Sequence, residues 1–278
     1  MVGRFSRSWQ MVRHSAAILQ QDRELMVFPL LSSCTAFLVL ISFIPLLALN
    51  LPTQGEQSSF SALTFGLLYL AEYFVIFFFN TALVGAALIR MEGGDPTVRD
   101  GLRIAWSKAA QIFGYAMIAA TVGVLLRAVG ERFGLLGRMI IGLFGMAWTA
   151  ASFLTVPVLV SRDIGPVEAV RESATLLKQT WGENIITNAG IGLIFMGVWM
   201  LAFIIAGVLV SLVFSTGNMA LIVGMAIACG LGLIVIGLLQ ATLQGIFSAV
   251  LYRFATDGRD TGGFSAEDLT RVFTPKLV

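Results

Sequence analysis

Residues 67–80 read LLYLAEYFVIFFFN, and their reading decides the fold. The stretch is apolar enough to sit in lipid, yet it carries one carboxylate, Glu72, with no Lys or Arg within a dozen positions on either side. Extended outward, the run continues from Phe60 to Ile89 with no other charge. At 1.5 Å per residue it is longer than the roughly 30 Å of a hydrocarbon core.

The rest of the chain repeats the pattern. Hydrophobic residues make up 57% of its 278 residues and charged residues only 12%, an imbalance that a soluble sphere of this size could not bury. Uncharged runs place five further spans at about Leu25–Leu51, Ala109–Leu126, Met139–Val160, Ile185–Phe214 and Met219–Tyr252. The expected fold is all-α: a polytopic bundle of six membrane helices. Leu25–Leu51 is too long for a signal h-region and no small-residue cleavage pattern follows, so it is expected to stay as an anchor.

Fifteen of the eighteen Lys and Arg residues fall in the connections on one side. Only Arg127, Arg132 and Arg138 fall on the other, which predicts an inner membrane protein with both termini in the cytoplasm. A net charge of +2 gives nucleic acid no electrostatic footprint.

The connections on the basic side are patterned. Val98, Leu102, Ala105, Ala109 and Ile112 recur at helical spacing, with Asp95 expected to cap and Pro96 to open that helix. Val167, Val170, Ala174, Leu177 and Trp181 form a second stripe, and Phe5, Trp9, Val12, Ala16 and Leu19 a third. The chain therefore reads as three pseudo-repeats, each an amphipathic helix followed by two spans. The corresponding divisions are residues 1–24, an amphipathic helix; 25–254, the membrane domain, with further amphipathic helices near 96–108 and 166–181; and 255–278, a cytoplasmic tail. Such helices suit the anionic inner-leaflet surface, with Arg7, Arg13, Arg99, Arg103, Arg171 and Lys178 as headgroup contacts. Their stripes suit the ends of the spans equally well.

Chemistry is sparse. The single histidine, His14, cannot build a His-based metal site, and no nucleophile elbow or phosphate loop is present. No cofactor or catalytic residue is expected, and Glu168, Arg171 and Lys178 read as helix pairs or headgroup contacts. Glu72 is the exception. It lies roughly 18 Å along its span from Phe60, where an ionised carboxylate costs several kcal/mol unless paired or wetted. Asn80, two turns on, extends that polar side, and Thr149, Ser152, Thr155, Gln240 and Thr242 are the partners in reach on other spans, with no Lys or Arg at that depth except by a reach from Arg127. A protonated carboxyl that donates a helix-to-helix hydrogen bond and a water-lined proton or cation path are the two readings of Glu72. Small residues four apart (Ala226 and Gly230, Ala147 and Ala151, Ala241 and Gly245) predict close helix approach, within the chain or in a homo-oligomer.

Three blocks carry a resemblance: FSRSWQMVRHSAAILQQDRELMVFPLLS at 5–32, PVLVSRDIGPVEAVRESATLLKQTWGENIITNAGIG at 157–192 and LYRFATDGRDTGGFSAEDLTRVFTPK at 251–276. Together they resemble a bacterial family of six-span membrane proteins classed as a domain of unknown function. More loosely, Pro166, Glu168, Ala169, Ser173, Leu176, Lys178, Trp181 and Gly182 are similar to a pattern in membrane domains attached to glycerophosphodiester phosphodiesterases. The resemblance implies topology and no activity. The expected role is a non-enzymatic module that contacts membrane lipid, anionic lipid above all, or a membrane-protein partner. The alternative is a small transporter or channel that uses Glu72.

Overall fold

The computed structural model of the chain describes residues 15–16, 18–20, 22–49, 59–132, 134–181 and 190–257. Among these there is no strand. A short 3-10 turn, Arg23–Met26, leads into α1 (Val27–Leu49), followed by α2 (Ser59–Met91), α3 (Val98–Ser107), α4 (Ala109–Arg132) and α5 (Gly134–Ala151). Then come α6 (Thr155–Ser161), α7 (Pro166–Trp181), α8 (Gly190–Phe214) and α9 (Met219–Asp257). Six segments are long and apolar enough to cross a membrane: Arg23–Ala48, Leu63–Met91, Ala109–Arg127, Ile141–Ser161, Phe195–Phe214 and Met219–Asp257. The order amphipathic helix, span, span holds for the second and third units. Most of the first unit's helix lies outside the described residues, as do Arg7, Arg13, His14 and the tail beyond Asp257.

Burial is lopsided along the membrane axis. Ala82–Ala87 at the end of α2, Ile112–Ala119 on α4, Leu154–Leu159 around the start of α6 and Leu243–Phe254 on α9 supply most of the core, joined by Leu25 and Phe28. Alternating span direction puts all of these at one end of the bundle, which forms a packed collar. Away from the collar, the helices present exposed Leu, Ile, Phe and Val side chains, such as Leu38, Leu143, Phe203 and Leu231. That is the expected surface where lipid is the solvent, since apolar side chains gain nothing by leaving it.

The collar explains the length of α9. Its 39 residues span about 58 Å, far more than one crossing needs. No residue of Met219–Ala241 is buried, whereas most of Thr242–Phe254 is. The helix crosses lipid with its first part and docks in the collar with its last. Gly245 is the contact point: a Cβ there would collide with Leu83 and lie 3.2 Å from Asn80 Oδ1. Of the small residues named from the sequence, Gly245 is thus used within the chain, while its partner Ala241 is exposed and a Cβ on Gly230 would meet nothing within 4 Å.

The amphipathic helix α3 is sealed onto the collar. Gly101 and Ala105 are buried, Val98 and Leu102 half-buried. A Cβ on Gly101 would lie 2.5 Å from Phe28 Cζ and 2.7 Å from the Ala82 carbonyl oxygen. Its cap differs from expectation. Thr97, not Asp95, is the N-cap: its hydroxyl accepts the Asp100 N–H while the Asp100 carboxylate accepts the Thr97 N–H, a reciprocal capping box. Asp95 instead pairs with Arg90 at 3.0 Å. The Val98 N–H adds a bond to the Glu24 carboxylate at 3.2 Å, which ties α3 to the turn before α1.

The box carries a pH prediction. Hydrogen bonds from Thr97, side chain first and backbone second, hold the Asp100 carboxyl below the usual carboxylate range. A depressed folded value stabilises above the unfolded value, near 3.9, and the gain is lost as pH falls through the folded one. Asp100→Asn should therefore unfold at lower temperature than the parent at pH 7. That gap should close below about pH 4.

Candidate functional site

Two polar features interrupt the apolar bundle. The first is Glu72, about 14 Å along the span that starts at Leu63 and so near mid-membrane. Its side chain is half-buried and makes no hydrogen bond or ion pair among the described residues. The partners named from the sequence are engaged elsewhere or aimed elsewhere. The Thr149 hydroxyl donates to the Gly145 carbonyl at 2.9 Å, Ser152 to Trp148 at 2.7 Å and Thr242 to Leu238 at 2.8 Å. Gln240 accepts the indole N–H of Trp199. The Asn80 side-chain oxygen lies beside Gly245 in the collar, so Glu72 and Asn80 are placed in different surroundings.

Beside Glu72 runs an aromatic ladder. Tyr69 meets Tyr73 edge-on at 4.9 Å, Tyr73 meets Phe77 at 5.5 Å, and Phe77 meets Tyr115 at 4.4 Å. Gly123 makes room for it, since a Cβ there would touch the hydroxyl oxygens of both Tyr69 and Tyr73 at 3.7 Å. The ladder descends from mid-membrane to the second polar feature.

That feature is a break in the fourth span, expected from its uncharged run as one crossing from Met139 to Val160. The structure ends α5 at Ala151 and restarts as α6 at Thr155. Pro157 is the cause: it has no N–H to return to Phe153, and its ring excludes the Phe153 carbonyl from a continuous helix. Pro45 sits inside α1 without ending it, because a proline kinks or breaks a helix according to what else can satisfy the freed groups. Here the turn tightens, with the Phe153 N–H bonded to Ala150 and the Thr155 N–H to Ser152, both at 3.1 Å. The Leu154 N–H leaves the helix altogether and donates to the Ser173 hydroxyl at 2.9 Å.

Ser173 is wholly buried, so α7 presents a polar atom to the break rather than an apolar stripe. The buried face of α7 is Ala169, Ser173 and Leu177, and Val167, expected on that face, is 59% exposed. Thr155 is wholly buried as well, and its hydroxyl makes no hydrogen bond among the described residues. The Tyr115 hydroxyl faces Ser152 and Thr155. Removing the hydroxyl in Ser173→Ala strands a buried N–H and should cost about 1–3 kcal/mol. A thermal unfolding curve of the purified variant would show it as an earlier transition.

On the opposite faces of α3 and α7, Arg99, Arg103, Arg171 and Lys178 are all exposed. Arg103 approaches Asp100 at 3.6 Å. Glu168 does not pair along α7 as its spacing suggests, and instead accepts the Gly165 N–H at 3.4 Å. Glu172 of α7 pairs with Arg162, and Asp163, in the connection before α7, pairs with Lys108 at 3.2 Å. Among the described residues no three His, Cys, Asp or Glu side chains gather as a metal site would require.

No curated protein matches this sequence. The family of unknown function DUF6159 matches residues 60–263, well over half of the chain and all but one of the spans, and the protein belongs to that family.

Proposed function

We propose that this is a non-enzymatic module of the bacterial inner membrane, with both termini in the cytoplasm, that acts by contact with anionic lipid or a membrane partner at its collar. One observation carries the reading. Arg99, Arg103, Arg171 and Lys178 project from helices whose other faces are locked into the core by Gly101, Ala105, Ala169 and Ser173. A basic surface held on a rigid platform at the membrane boundary attracts acidic headgroups at about 1 kcal/mol per residue. Lipid extracted from purified protein is the test: acidic phospholipid should be retained, and several-fold less with all four residues changed to Gln. A preparation that holds neither acidic phospholipid nor a membrane partner would end the reading.

A second reading has its own support. Glu72 has no partner among the described residues, and an aromatic ladder joins its level to an interrupted span, the kind of backbone that lines solute sites in transporters. On this reading Glu72 carries a proton or faces a cation along a path past Tyr73 and Tyr115. Flux into liposomes that contain the wild type, set against Glu72→Gln, decides it. Identical traces would discard the path.

A further inference from the structure

α3 has a second face that the collar does not use. With 100° between successive residues, Arg99, Arg103 and Trp106 lie within about 60° of one another, opposite the buried Gly101 and Ala105. All three are exposed, Trp106 to 75%. Arg99 makes no ion pair among the described residues. Arg103 keeps one ion pair, with Asp100 Oδ1 at 3.6 Å, while its side chain is 69% exposed, and Asp100 Oδ2 is committed to Thr97 at 2.6 Å within the cap.

Trp106 does not hang free. Its ring meets Phe78 edge-on at 6.0 Å, Phe78 meets Phe74 at 5.9 Å, and Phe74 meets Phe113 at 6.0 Å. Phe113 is itself 45% exposed. An aromatic strip therefore runs from the arginine pair down the flank of the second and third spans. Phe78 lies about 22 Å along its span from Leu63, inside the roughly 30 Å of hydrocarbon. Trp106 above it falls at the boundary depth that indole rings favour.

We propose that this face is a site for one anionic phospholipid, with the phosphate held by Arg99 and Arg103 and an acyl chain laid along Trp106, Phe78, Phe74 and Phe113. The inference rests on the lipid-contact reading above and gives it an address. Charge and position together select the occupant. A peptide arriving from water meets the arginines but not Phe74 or Phe113, and a neighbouring membrane helix meets the rings but brings no phosphate. A lipid with an acidic headgroup spans both, and a guanidinium pair suits its phosphate oxygens.

Trp106 supplies the readout. The protein is reconstituted in phosphatidylcholine vesicles that contain a tenth of either phosphatidylglycerol or phosphatidylcholine with dibrominated chains, and the Trp106 signal is taken as wild type minus Trp106→Phe. Brominated phosphatidylglycerol should quench that signal several-fold more than brominated phosphatidylcholine. Arg99→Gln with Arg103→Gln should bring the two to the same level, and Arg99→Lys with Arg103→Lys should keep part of the preference. Equal quenching of wild type by both lipids overturns the site, as does a preference that the double Gln variant leaves intact. In either case acidic phospholipid retained on purified protein would leave the broader reading standing, whereas a preparation that holds neither acidic phospholipid nor a membrane partner would remove both. Both arginines are exposed, and an unchanged unfolding midpoint confirms that the double variant is folded.

Discussion

Gly101→Ala is expected to lower the thermal unfolding midpoint of the purified protein, against the direction that helix propensity alone gives. In an exposed helix interior, Ala is favoured over Gly by about 1 kcal/mol. At Gly101 the added Cβ would lie 2.7 Å from the Ala82 carbonyl oxygen and 2.5 Å from Phe28 Cζ. The first obstacle is backbone of α2 and cannot rotate away. The second is a ring that is 1% exposed, in the centre of the core. Relief requires α3 to move off the collar, and overpacking of this kind costs about 1–3 kcal/mol, occasionally more. Packing therefore outweighs propensity, and the balance is a loss. Gly142→Ala on α5 is the matched control, because nothing lies within 4 Å of the Cβ it would add. There the propensity gain should survive, with a midpoint equal to or above the parent's. Should Gly101→Ala behave like Gly142→Ala, α3 is not seated on Ala82, and the fixed platform for Arg99 and Arg103 disappears with it.

The same residue marks the limit of what sequence could show. Six spans are legible because an uncharged run long enough to cross hydrocarbon has few other uses. The existence of α3 and α7 is legible because their apolar spacing differs from that of the spans. Which partner those helices choose is not, because Gly101 and Ser173 decide it. Neither carries a hydropathy signal, and their meaning comes from an oxygen on α2 and an N–H at Leu154. The apolar stripe read on α7 includes Val167 and passes over Ser173 for this reason: hydropathy counts the exposed valine and ignores the buried serine. The break in the fourth span is half legible, since Pro157 is visible. Its consequence depends on whether another helix can satisfy Leu154, and that is tertiary information. Thr97 outcompeted Asp95 as the cap of α3 because Arg90 holds Asp95 and the Thr97 to Asp100 spacing allows a reciprocal pair.

Glu72→Leu should raise the stability of the protein. A carboxylate at mid-membrane costs several kcal/mol unless it is paired or reached by water. Among the described residues nothing pairs with Glu72, because Thr149, Ser152 and Thr242 have turned their hydroxyls back to their own helices and Gln240 holds Trp199. Its neighbours Val75 and Ile76 show that Leu fits the surroundings, one buried and one facing lipid. Replacing the acid with Leu should therefore gain about 2 kcal/mol, near the lower end of what intramembrane charges cost on insertion scales. It would appear as a later unfolding transition in detergent and in vesicles alike. Glu72→Gln, which keeps a polar group without the charge, should gain less. A loss of stability in Glu72→Leu would reveal a hydrogen bond across the bundle and make the residue a structural donor. A gain has the opposite meaning: an acid that weakens the fold is retained for what it does, in keeping with the trade between stability and function. The two measurements then belong together. If Glu72→Leu is more stable and liposomes that contain it pass no solute that the parent passes, Glu72 is the working group of the bundle. More stability with identical flux would leave function to the basic face of the collar.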